Sequence, residues 1–345
     1  MPLPERTSNV WRYILGPVVI LFIVAICWLD MTHPLRMELP RKDYTLPVTI
    51  PGVWLLPILL AAGLSGVQET IQLMRRIGAH PPVRTVYFFS TVILFAPMLP
   101  ILLAVWTGIC CVSGREGTWN VTSFSLAAEG LAAVFAAFTL GAIAVMLAQM
   151  KRYPGPESDG TTLREIIGGV FSLFYVPVLL SFATLIVVTP GMGIIMLGSM
   201  ILLVKSGDIG AYFVGRTLGR KRADGLPKHP MSPILSPKKS MEGAVGAVLT
   251  PTLIAGTYML CRMNHDPAPT TKETMTIGAV ILFAAMLGLT GLFGDLAESL
   301  LKREAKVKDS SEWLPGFGGV LDMIDSVLFA APIAFLFLWF LNTLQ

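Results

Sequence analysis

No charged residue occurs between Ile166 and Val204, and this uncharged stretch most constrains how the chain can fold. A helix needs about 20 apolar residues to cross the roughly 30 Å hydrocarbon core of a bilayer, so the stretch is long enough for two crossings. Proline and glycines within Thr189–Gly193 favour a turn between them. Soluble domains carry about 25% charged residues, whereas only 14% of this chain is charged. The sequence therefore predicts an integral membrane protein.

The other apolar runs extend this prediction to an all-α, polytopic membrane protein with about nine transmembrane helices. The predicted spans are residues 13–29, 46–66, 87–110, 130–149, 166–188, 192–214, 243–261, 276–298 and 326–343. Most of the 26 Lys and Arg residues fall in the N-terminal segment and in the loops on its side of the membrane. Cytoplasmic loops carry such an excess, so we expect the N-terminus in the cytoplasm and the C-terminus outside.

Polar residues enter the predicted spans only in the second half of the chain. We therefore expect an N-terminal region of about five spans, residues 1–190, and a functional C-terminal region of about four spans, residues 191–345. The second region includes cytoplasmic loops over residues 215–242 and 299–325. No basic run is interleaved with aromatic residues, so nucleic-acid binding is not expected. The 4 cysteines lack the spacing of a metal site.

Lys205 and Asp208 lie inside a predicted span, where ionisable residues are energetically costly and normally serve a function. Gly207 and Gly210 flank Asp208 and indicate that a ligand or another helix approaches the backbone closely. A simpler interpretation is that Lys205 extends towards the membrane surface and pairs with Asp208.

The segment from Ser236 to Gly243 leads directly into the seventh predicted span. Ser240 is expected to cap the first turn of that helix, where backbone N–H groups are free. Lys238 and Lys239 beside these N–H groups form a natural phosphate site. Alternatively, this cationic loop contacts lipid headgroups.

Carboxylates recur at helical spacing on either side of a Pro-Gly-Phe-Gly-Gly turn, residues 315–319. The stripe before the turn and the stripe after it are Asp295, Glu298, Ser299 and Lys302, and Asp322, Asp325 and Ser326. The glycines tolerate positive φ, so the two stripes can face each other near the cytoplasmic surface. Facing carboxylates repel unless they are protonated or bridged by cations. Hard divalent ions such as Mg²⁺ prefer these oxygen ligands, so the pattern predicts chemistry at a phosphoryl group.

Four segments closely resemble the signature of the phosphatidate cytidylyltransferase (CDP-diacylglycerol synthase) family. They are Asp208-x-Gly210-Ala211-Tyr212-x-x-Gly215-Arg216, Ser236-Pro237-Lys238-Lys239-Ser240-x-Glu242-Gly243, Gly294-Asp295-x-x-Glu298-Ser299, and Ser299-x-x-Lys302-Arg303-x4-Lys308-Asp309-Ser310-x4-Pro315-Gly316-x-Gly318-Gly319-x-Leu321-Asp322-x-x-Asp325-Ser326. The motifs are dense from about residue 203 to residue 330, and before that the similarity is only hydropathic. Because the pattern is long and its gaps are fixed, the chain is identified as a divergent member of this family.

The resemblance implies a multi-pass nucleotidyltransferase that is often dimeric. Members of the family join phosphatidic acid to CTP and form CDP-diacylglycerol and pyrophosphate for phospholipid synthesis. Mg²⁺, alone or with a monovalent cation, would be the cofactor, and membrane lipids would be further partners. The expected location is the inner (cytoplasmic) membrane, with the active site on the cytoplasmic side.

The same resemblance, carried over residue by residue, implies three groups of site residues. The catalytic residues would be Asp295, Asp322, Lys302 and Lys308. The metal ligands would be Asp295 and Asp322, with Asp325, Glu298 and Asp208 close by. The substrate contacts would be Lys205, Ser236, Lys238, Lys239, Ser240, Glu242, Ser299, Arg303 and Asp309.

Three positions depart from the family pattern. Phe317 replaces the usual His, Met323 replaces a basic residue, and Met241 replaces a common aromatic residue. The first two changes remove potential phosphate contacts. Other functions therefore remain open: a CTP-dependent polyprenol or lipid kinase, which would release CDP instead of pyrophosphate, a cation-coupled transporter, or a non-catalytic membrane scaffold.

Overall fold

The computed structural model of the chain describes residues 24–33, 35–40, 45–50, 52–107, 123–155, 160–189, 193–220, 226–263, 271–311 and 318–343. From Leu56 onwards its α-helices are α1 Leu56–Arg76, α2 Val83–Phe95, α3 Leu99–Thr107, α4 Ser123–Met150, α5 Thr161–Leu173, α6 Leu179–Val188, α7 Gly193–Thr217, α8 Met241–Met263, α9 Thr271–Glu304 and α10 Val320–Thr343. The strands pair as antiparallel hairpins, β1 Leu35–Pro40 with β2 Thr45–Ile50 and β3 Pro230–Ser232 with β4 Ser236–Ser240.

Within the described residues, seven helical segments are long and apolar enough to cross a membrane. They are Val83–Leu103, Ala127–Met150, Thr161–Val188, Gly193–Thr217, Met241–Cys261, Ile277–Glu304 and Val320–Leu341. These segments overlap the last seven predicted spans, so the prediction of a polytopic, all-α membrane protein is confirmed. The total number of spans and the sides of the two termini remain predictions. The predicted span 13–29 lies largely outside the described residues, although residues 24–32 are helical.

The predicted span over residues 46–66 is wrong in position. Strand β2 occupies its beginning, and α1 starts at Leu56 and continues to Arg76, into residues that the sequence assigns to a loop. Pro47 and Pro51 disfavour a helix before this point, whereas Pro57 in the first turn of α1 suits a helix start. Beyond residue 66 the helix buries a charged residue, Glu69. This burial is tolerated because the Glu69 carboxylate accepts hydrogen bonds.

The two loops that the sequence predicts on the cytoplasmic side are also shorter than predicted. Helix α9 extends to Glu304 and α10 begins at Val320, so much of the predicted loop 299–325 is helical. Lys302 is tolerated in the helix because its ammonium group pairs with Glu298 one turn earlier. The predicted loop 215–242 contains the β3–β4 hairpin.

Two helices flank Thr189–Gly193 as predicted, and residues 190–192 of the predicted turn lie outside the described residues. Helix α6 ends at Val188 and α7 begins at Gly193, whose φ of 72° is readily adopted by glycine. The preceding span is one continuous segment because a π-helical turn, Phe174–Val178, joins α5 to α6 around Pro177. A proline lacks the N–H group that a regular helical turn would use.

The helices form two compact units. Unit 1 contains residues 1–197, 305–323 and 339–345, and unit 2 contains residues 198–304 and 324–338. In unit 1 the span Thr161–Val188 is the core, because 83% of its most apolar window is buried within the protein. The predicted division of function at residue 190 stays a prediction.

Unit 2 consists of α7, α8, α9 and the middle of α10, and its helices pack with close backbone contacts. A Cβ atom added to Gly207 would lie 2.9 Å from the carbonyl oxygen of Ala247, and one added to Gly210 would lie 2.7 Å from that of Gly246. Both acceptors belong to α8. The glycines that flank Asp208 are therefore explained by helix packing, one of the two alternatives that the sequence left open.

Candidate active site

Three carboxylates of unit 2 converge between α9 and α10. Asp295 and Glu298 lie one turn apart on α9, Asp325 lies on α10, and one oxygen of each is within 4.8 Å of the others. Glu298 is 1% exposed and Asp325 is 5% exposed. The helices can approach because Gly294 precedes Asp295: a Cβ atom at Gly294 would lie 2.5 Å from the carbonyl oxygen of Asp325. We call these three residues the carboxylate group.

Each member of the carboxylate group is paired with a different lysine. Lys239 of β4 pairs with Asp295. Lys302 Nζ lies 2.7 Å from Glu298 Oε2, and Lys205 Nζ lies 3.9 Å from Asp325 Oδ1. Burying carboxylates without compensating charge is costly, and these lysines provide that compensation.

The donor set nevertheless fits a divalent cation. Its ligand atoms are carboxylate oxygens, which hard ions such as Mg²⁺ prefer, and they already lie close together. The lysines are held by ion pairs between side chains, and such pairs can exchange partners. The carboxylate group is therefore suited to hold a metal once a phosphate is present to bind Lys239 in place of Asp295.

Asp208, a predicted metal ligand, lies beside the carboxylate group and is connected to it through two side chains. Its Oδ2 atom is 3.1 Å from Lys205 Nζ and accepts a hydrogen bond of 3.2 Å from Ser326 Oγ. Ser326 Oγ also lies 3.0 Å from Asp325 Oδ1. The simple pairing of Lys205 with Asp208 is thus observed, as part of a larger network.

A cavity of about 650 Å³ in unit 2 is lined by residues of both charge signs. Its charged lining residues are Asp208, Asp295, Arg216, Arg220, Lys238 and Lys239. This volume is in the range of small-molecule sites. Asp295, a member of the carboxylate group, and its partner Lys239 both line the cavity. A ligand in the cavity can therefore reach the carboxylate group.

Three predicted substrate contacts, Lys238, Lys239 and Ser240, line this cavity, whereas Ser236, Glu242 and Ser299 are not among its lining residues. Ser240 lines it and caps α8 as predicted, since its Oγ accepts a hydrogen bond of 3.0 Å from the N–H of Gly243. Glu242 lies in the first turn of α8, and one of its carboxylate oxygens is buried without a hydrogen-bond partner among the described residues. Ser236 and Ser299 are half-buried on β4 and α9.

Arg303, a predicted substrate contact, bonds to the β3–β4 hairpin. Its Nε donates a hydrogen bond of 3.3 Å to the carbonyl oxygen of Leu235, in the turn of the β3–β4 hairpin. The side chain is exposed. In this structure Arg303 therefore connects the end of α9 to the hairpin that carries Lys238 and Lys239.

Tyr212, Arg216 and Arg220 also line the cavity, and none of them is among the predicted site residues. Arg216 Nη1 donates a hydrogen bond of 2.5 Å to Tyr212 Oη, and its guanidinium lies 5.8 Å from the centre of the tyrosine ring. The available signal was the motif that contains Tyr212 and Arg216. Arg220 lies just after α7, outside that motif, and no signal in the sequence indicates its place in the cavity wall.

The remaining predicted residues, Asp322, Lys308 and Asp309, belong to unit 1. Asp322 Oδ2 accepts hydrogen bonds from the N–H of Ser310 at 3.0 Å and from the N–H of Gly319 at 2.7 Å, and it lies 2.8 Å from Ser310 Oγ. Lys308 and Asp309 are exposed. Gly318 has the positive φ expected for the turn, 84°, whereas Phe317 lies outside the described residues.

A carboxylate missed by sequence analysis lies beside Asp322 in unit 1. Glu69 of α1 accepts four hydrogen bonds, two from serine hydroxyls and two from backbone N–H groups. The donors are Ser310, Ser311, Val320 and Leu321. All of them are more than 240 positions away along the chain.

Comparison with known proteins supports one family. The sequence matches the cytidylyltransferase family over residues 11–341. A phosphatidate cytidylyltransferase of Mycobacterium bovis is 29% identical over 299 residues, which is 84% of this chain and 82% of that protein. A phosphatidate cytidylyltransferase of Haemophilus influenzae is 36% identical over 151 residues, 44% of this chain and 48% of that protein. The phosphatidate cytidylyltransferase of Mycobacterium leprae is 35% identical over 175 residues, 50% and 49% of the two chains.

Proposed function

This chain belongs to the cytidylyltransferase family, and on that premise we propose that it is a CTP:phosphatidate cytidylyltransferase. The reaction would transfer CMP from CTP to phosphatidic acid and yield CDP-diacylglycerol and pyrophosphate. The name of the Mycobacterium bovis relative supports this choice of substrates.

The observation that carries the proposal is the carboxylate group with its paired lysines at the wall of the cavity. A nucleoside triphosphate and a lipid phosphate bring several negative charges to one point, and they require cations in return. Lys238 and Lys239 line the cavity together with Asp295. The two lysines can bind phosphate groups, and the carboxylate can bind a metal ion.

The bond changes need no strong general base. An oxygen of the phosphatidate phosphomonoester, largely ionised at neutral pH, would attack the α-phosphorus of CTP. A new P–O bond forms, the bond between the α-phosphorus and the bridging oxygen breaks, and pyrophosphate leaves. Positioning and charge neutralisation would supply most of the rate enhancement.

The residues of unit 2 would act by exchanging partners. Asp295, Glu298 and Asp325 would hold a divalent cation, for which we propose Mg²⁺, and this ion would neutralise and align the phosphates. Lys239, released from Asp295, would bind a phosphate of CTP, and Lys238 would contribute a second positive charge. Lys205 and Lys302 would remain near Asp325 and Glu298, with Asp208 orienting Lys205.

Further parts of the proposal rest on the family resemblance and on charge. We propose that Asp322 and Lys308 also contribute to the reaction and that a monovalent cation accompanies Mg²⁺. We further propose a homodimer in the inner (cytoplasmic) membrane. The excess of Lys and Arg on the predicted cytoplasmic side supports an active site facing the cytoplasm.

The test is product identity with purified protein, radiolabelled CTP, phosphatidic acid and Mg²⁺. We expect CDP-diacylglycerol and pyrophosphate in equal amounts, and about a 10³-fold loss for Asp295→Asn. Glu304→Gln is the matched control, because it removes an exposed carboxylate from the same helix, and it should leave the rate unchanged. Release of CDP would instead indicate a kinase, and product formation by Asp295→Asn at the wild-type rate would refute the assigned site.

A further inference from the structure

We propose that Glu69 of α1 is a positioning residue, which fixes the first turn of α10 and thereby Asp322. The inference rests on the proposed function, in which Asp322 takes part. It also gives the N-terminal part of the chain, where sequence analysis found no functional residue, a role in the reaction. All the contacts involved lie within unit 1.

Glu69 is a fixed, buried acceptor. Its side chain is 4% exposed, and both oxygens are used. Oε1 accepts hydrogen bonds of 2.9 Å from Ser311 Oγ and from the N–H of Val320. Oε2 accepts hydrogen bonds of 2.8 Å from Ser310 Oγ and from the N–H of Leu321.

These donors explain why a carboxylate is tolerated there. Val320 and Leu321 are the first two residues of α10, and N–H groups in the first turn of a helix have no partner within the helix. They also carry the partial positive charge of the helix dipole. A carboxylate supplied by another helix therefore satisfies these groups and is itself stabilised by them.

Asp322 is held by the same residues. Ser310 Oγ lies 2.8 Å from Glu69 Oε2 and also 2.8 Å from Asp322 Oδ2. Asp322 Oδ2 accepts a hydrogen bond from the N–H of Gly319 as well, and Gly319 directly precedes the helix. A shift of the first turn of α10 would therefore move Asp322.

There is no room for the turn to relax towards Glu69. A Cβ atom at Gly319 would collide with Ser310 Oγ and with the Glu69 carboxylate. Gly319 is therefore packed tightly against both Ser310 and Glu69. The position of Glu69 thus determines the position of the turn. This segment also contains the densest part of the sequence motif.

Glu69→Gln tests the inference because the glutamine side chain has nearly the same size as glutamate but replaces one acceptor oxygen with a donor NH₂ group. The amide nitrogen of glutamine is a donor only, and it would face a backbone N–H group at one of the two positions. One helix N–H group would lose its acceptor, whereas the serine hydroxyls could rotate. Ser311→Ala is a milder second variant, which removes one donor to the same carboxylate. Glu165→Gln, a half-buried glutamate elsewhere in unit 1, is the matched control.

The experiment measures kcat and KM for CTP with purified full-length protein, together with thermal unfolding and hydrogen–deuterium exchange. For Glu69→Gln we expect kcat to fall about 100-fold while KM changes less than about threefold, as for a misplaced catalytic group. Amide exchange should accelerate in peptides that contain Val320 and Leu321. Ser311→Ala should lose several-fold in kcat, and Glu165→Gln should match the wild type.

Two results would overturn the inference. One is a folded Glu69→Gln protein with wild-type kcat and wild-type exchange at the start of α10. The other, decisive if Glu69→Gln does not fold, is Ser311→Ala with wild-type kcat. If the wild type itself makes no CDP-diacylglycerol, the proposed function fails, and the exchange measurement still tests whether Glu69 fixes the helix.

Discussion

Units 1 and 2 both bury carboxylates, but they compensate the charge in different ways. In unit 2 the carboxylate group is paired with lysine side chains, which are long and can move. In unit 1 Glu69 and Asp322 accept hydrogen bonds from backbone N–H groups and serine hydroxyls, which are fixed by the local fold. The difference suggests a division of labour: exchangeable partners where ligands bind, and permanent partners where geometry must be held.

The largest expected effect comes from changing the carboxylate group itself. Asp325→Asn keeps the shape of the side chain but removes a charge, and we expect about a 10³-fold loss of activity. Binding of Mn²⁺ in the presence of CTP, measured by electron paramagnetic resonance, should be lost as well. The comparison variant is Asp208→Asn, because Asp208 also pairs with Lys205 but lies outside the carboxylate group.

Asp208→Asn should retain Mn²⁺ binding, with an affinity within about tenfold of the wild type. Equal loss of Mn²⁺ in both variants would show that Asp208 is itself a ligand, as the family resemblance implies. Unchanged Mn²⁺ binding by Asp325→Asn would contradict the assignment of exchangeable charge to unit 2.

Much of unit 2 could be predicted from the sequence because its signals are local. Asp295 and Glu298 share a helix face by their spacing, Ser240 precedes a helix, and the apolar runs have the length of spans. The approach of Asp325 to Asp295 and Glu298 needed only the assumption that the glycine-rich turn reverses the chain, whereas the predicted place of Asp322 beside them stays a prediction. The motif between residues 203 and 330 added the chemistry.

Glu69 could not be predicted in the same way. It follows an apolar run and precedes Arg75 and Arg76, so its segment resembles the polar end of a span. Its partners are more than 240 residues away, and hydropathy gives no information on such contacts. The β3–β4 hairpin and the cavity position of Arg220 were missed for a related reason: both depend on how separate segments pack.

Lys239→Gln should have an intermediate effect on ligand affinity, and the change should be opposite in sign for Mn²⁺ and for CTP. Without its lysine, Asp295 is left with uncompensated charge, so Mn²⁺ alone should bind about tenfold more tightly. CTP should bind about tenfold more weakly, because a charge-assisted hydrogen bond to phosphate is lost. Calorimetric titration with each ligand separately measures both changes.

Lys238→Gln is the matched control for this exchange. Lys238 precedes Lys239 on β4, lines the same cavity and carries the same charge, but its side chain is exposed. It should weaken CTP binding only slightly and leave the binding of Mn²⁺ alone unchanged. If the two variants behave alike, the specific pairing of Lys239 with Asp295 has no role in ligand exchange.

The smallest effect is expected in unit 1, for Ser310→Ala. This change removes one hydroxyl shared by Glu69 and Asp322, while the backbone N–H groups that bind both carboxylates remain. We expect the free energy of unfolding to fall by about 1–2 kcal/mol, measured by thermal unfolding in detergent, with Mn²⁺ binding unchanged. Ser172→Ala is the control, since that buried hydroxyl donates to the carbonyl oxygen of Gly168 in its own helix, and it should destabilise the protein less. Loss of Mn²⁺ binding in Ser310→Ala without a change in stability would contradict the division between permanent and exchangeable partners.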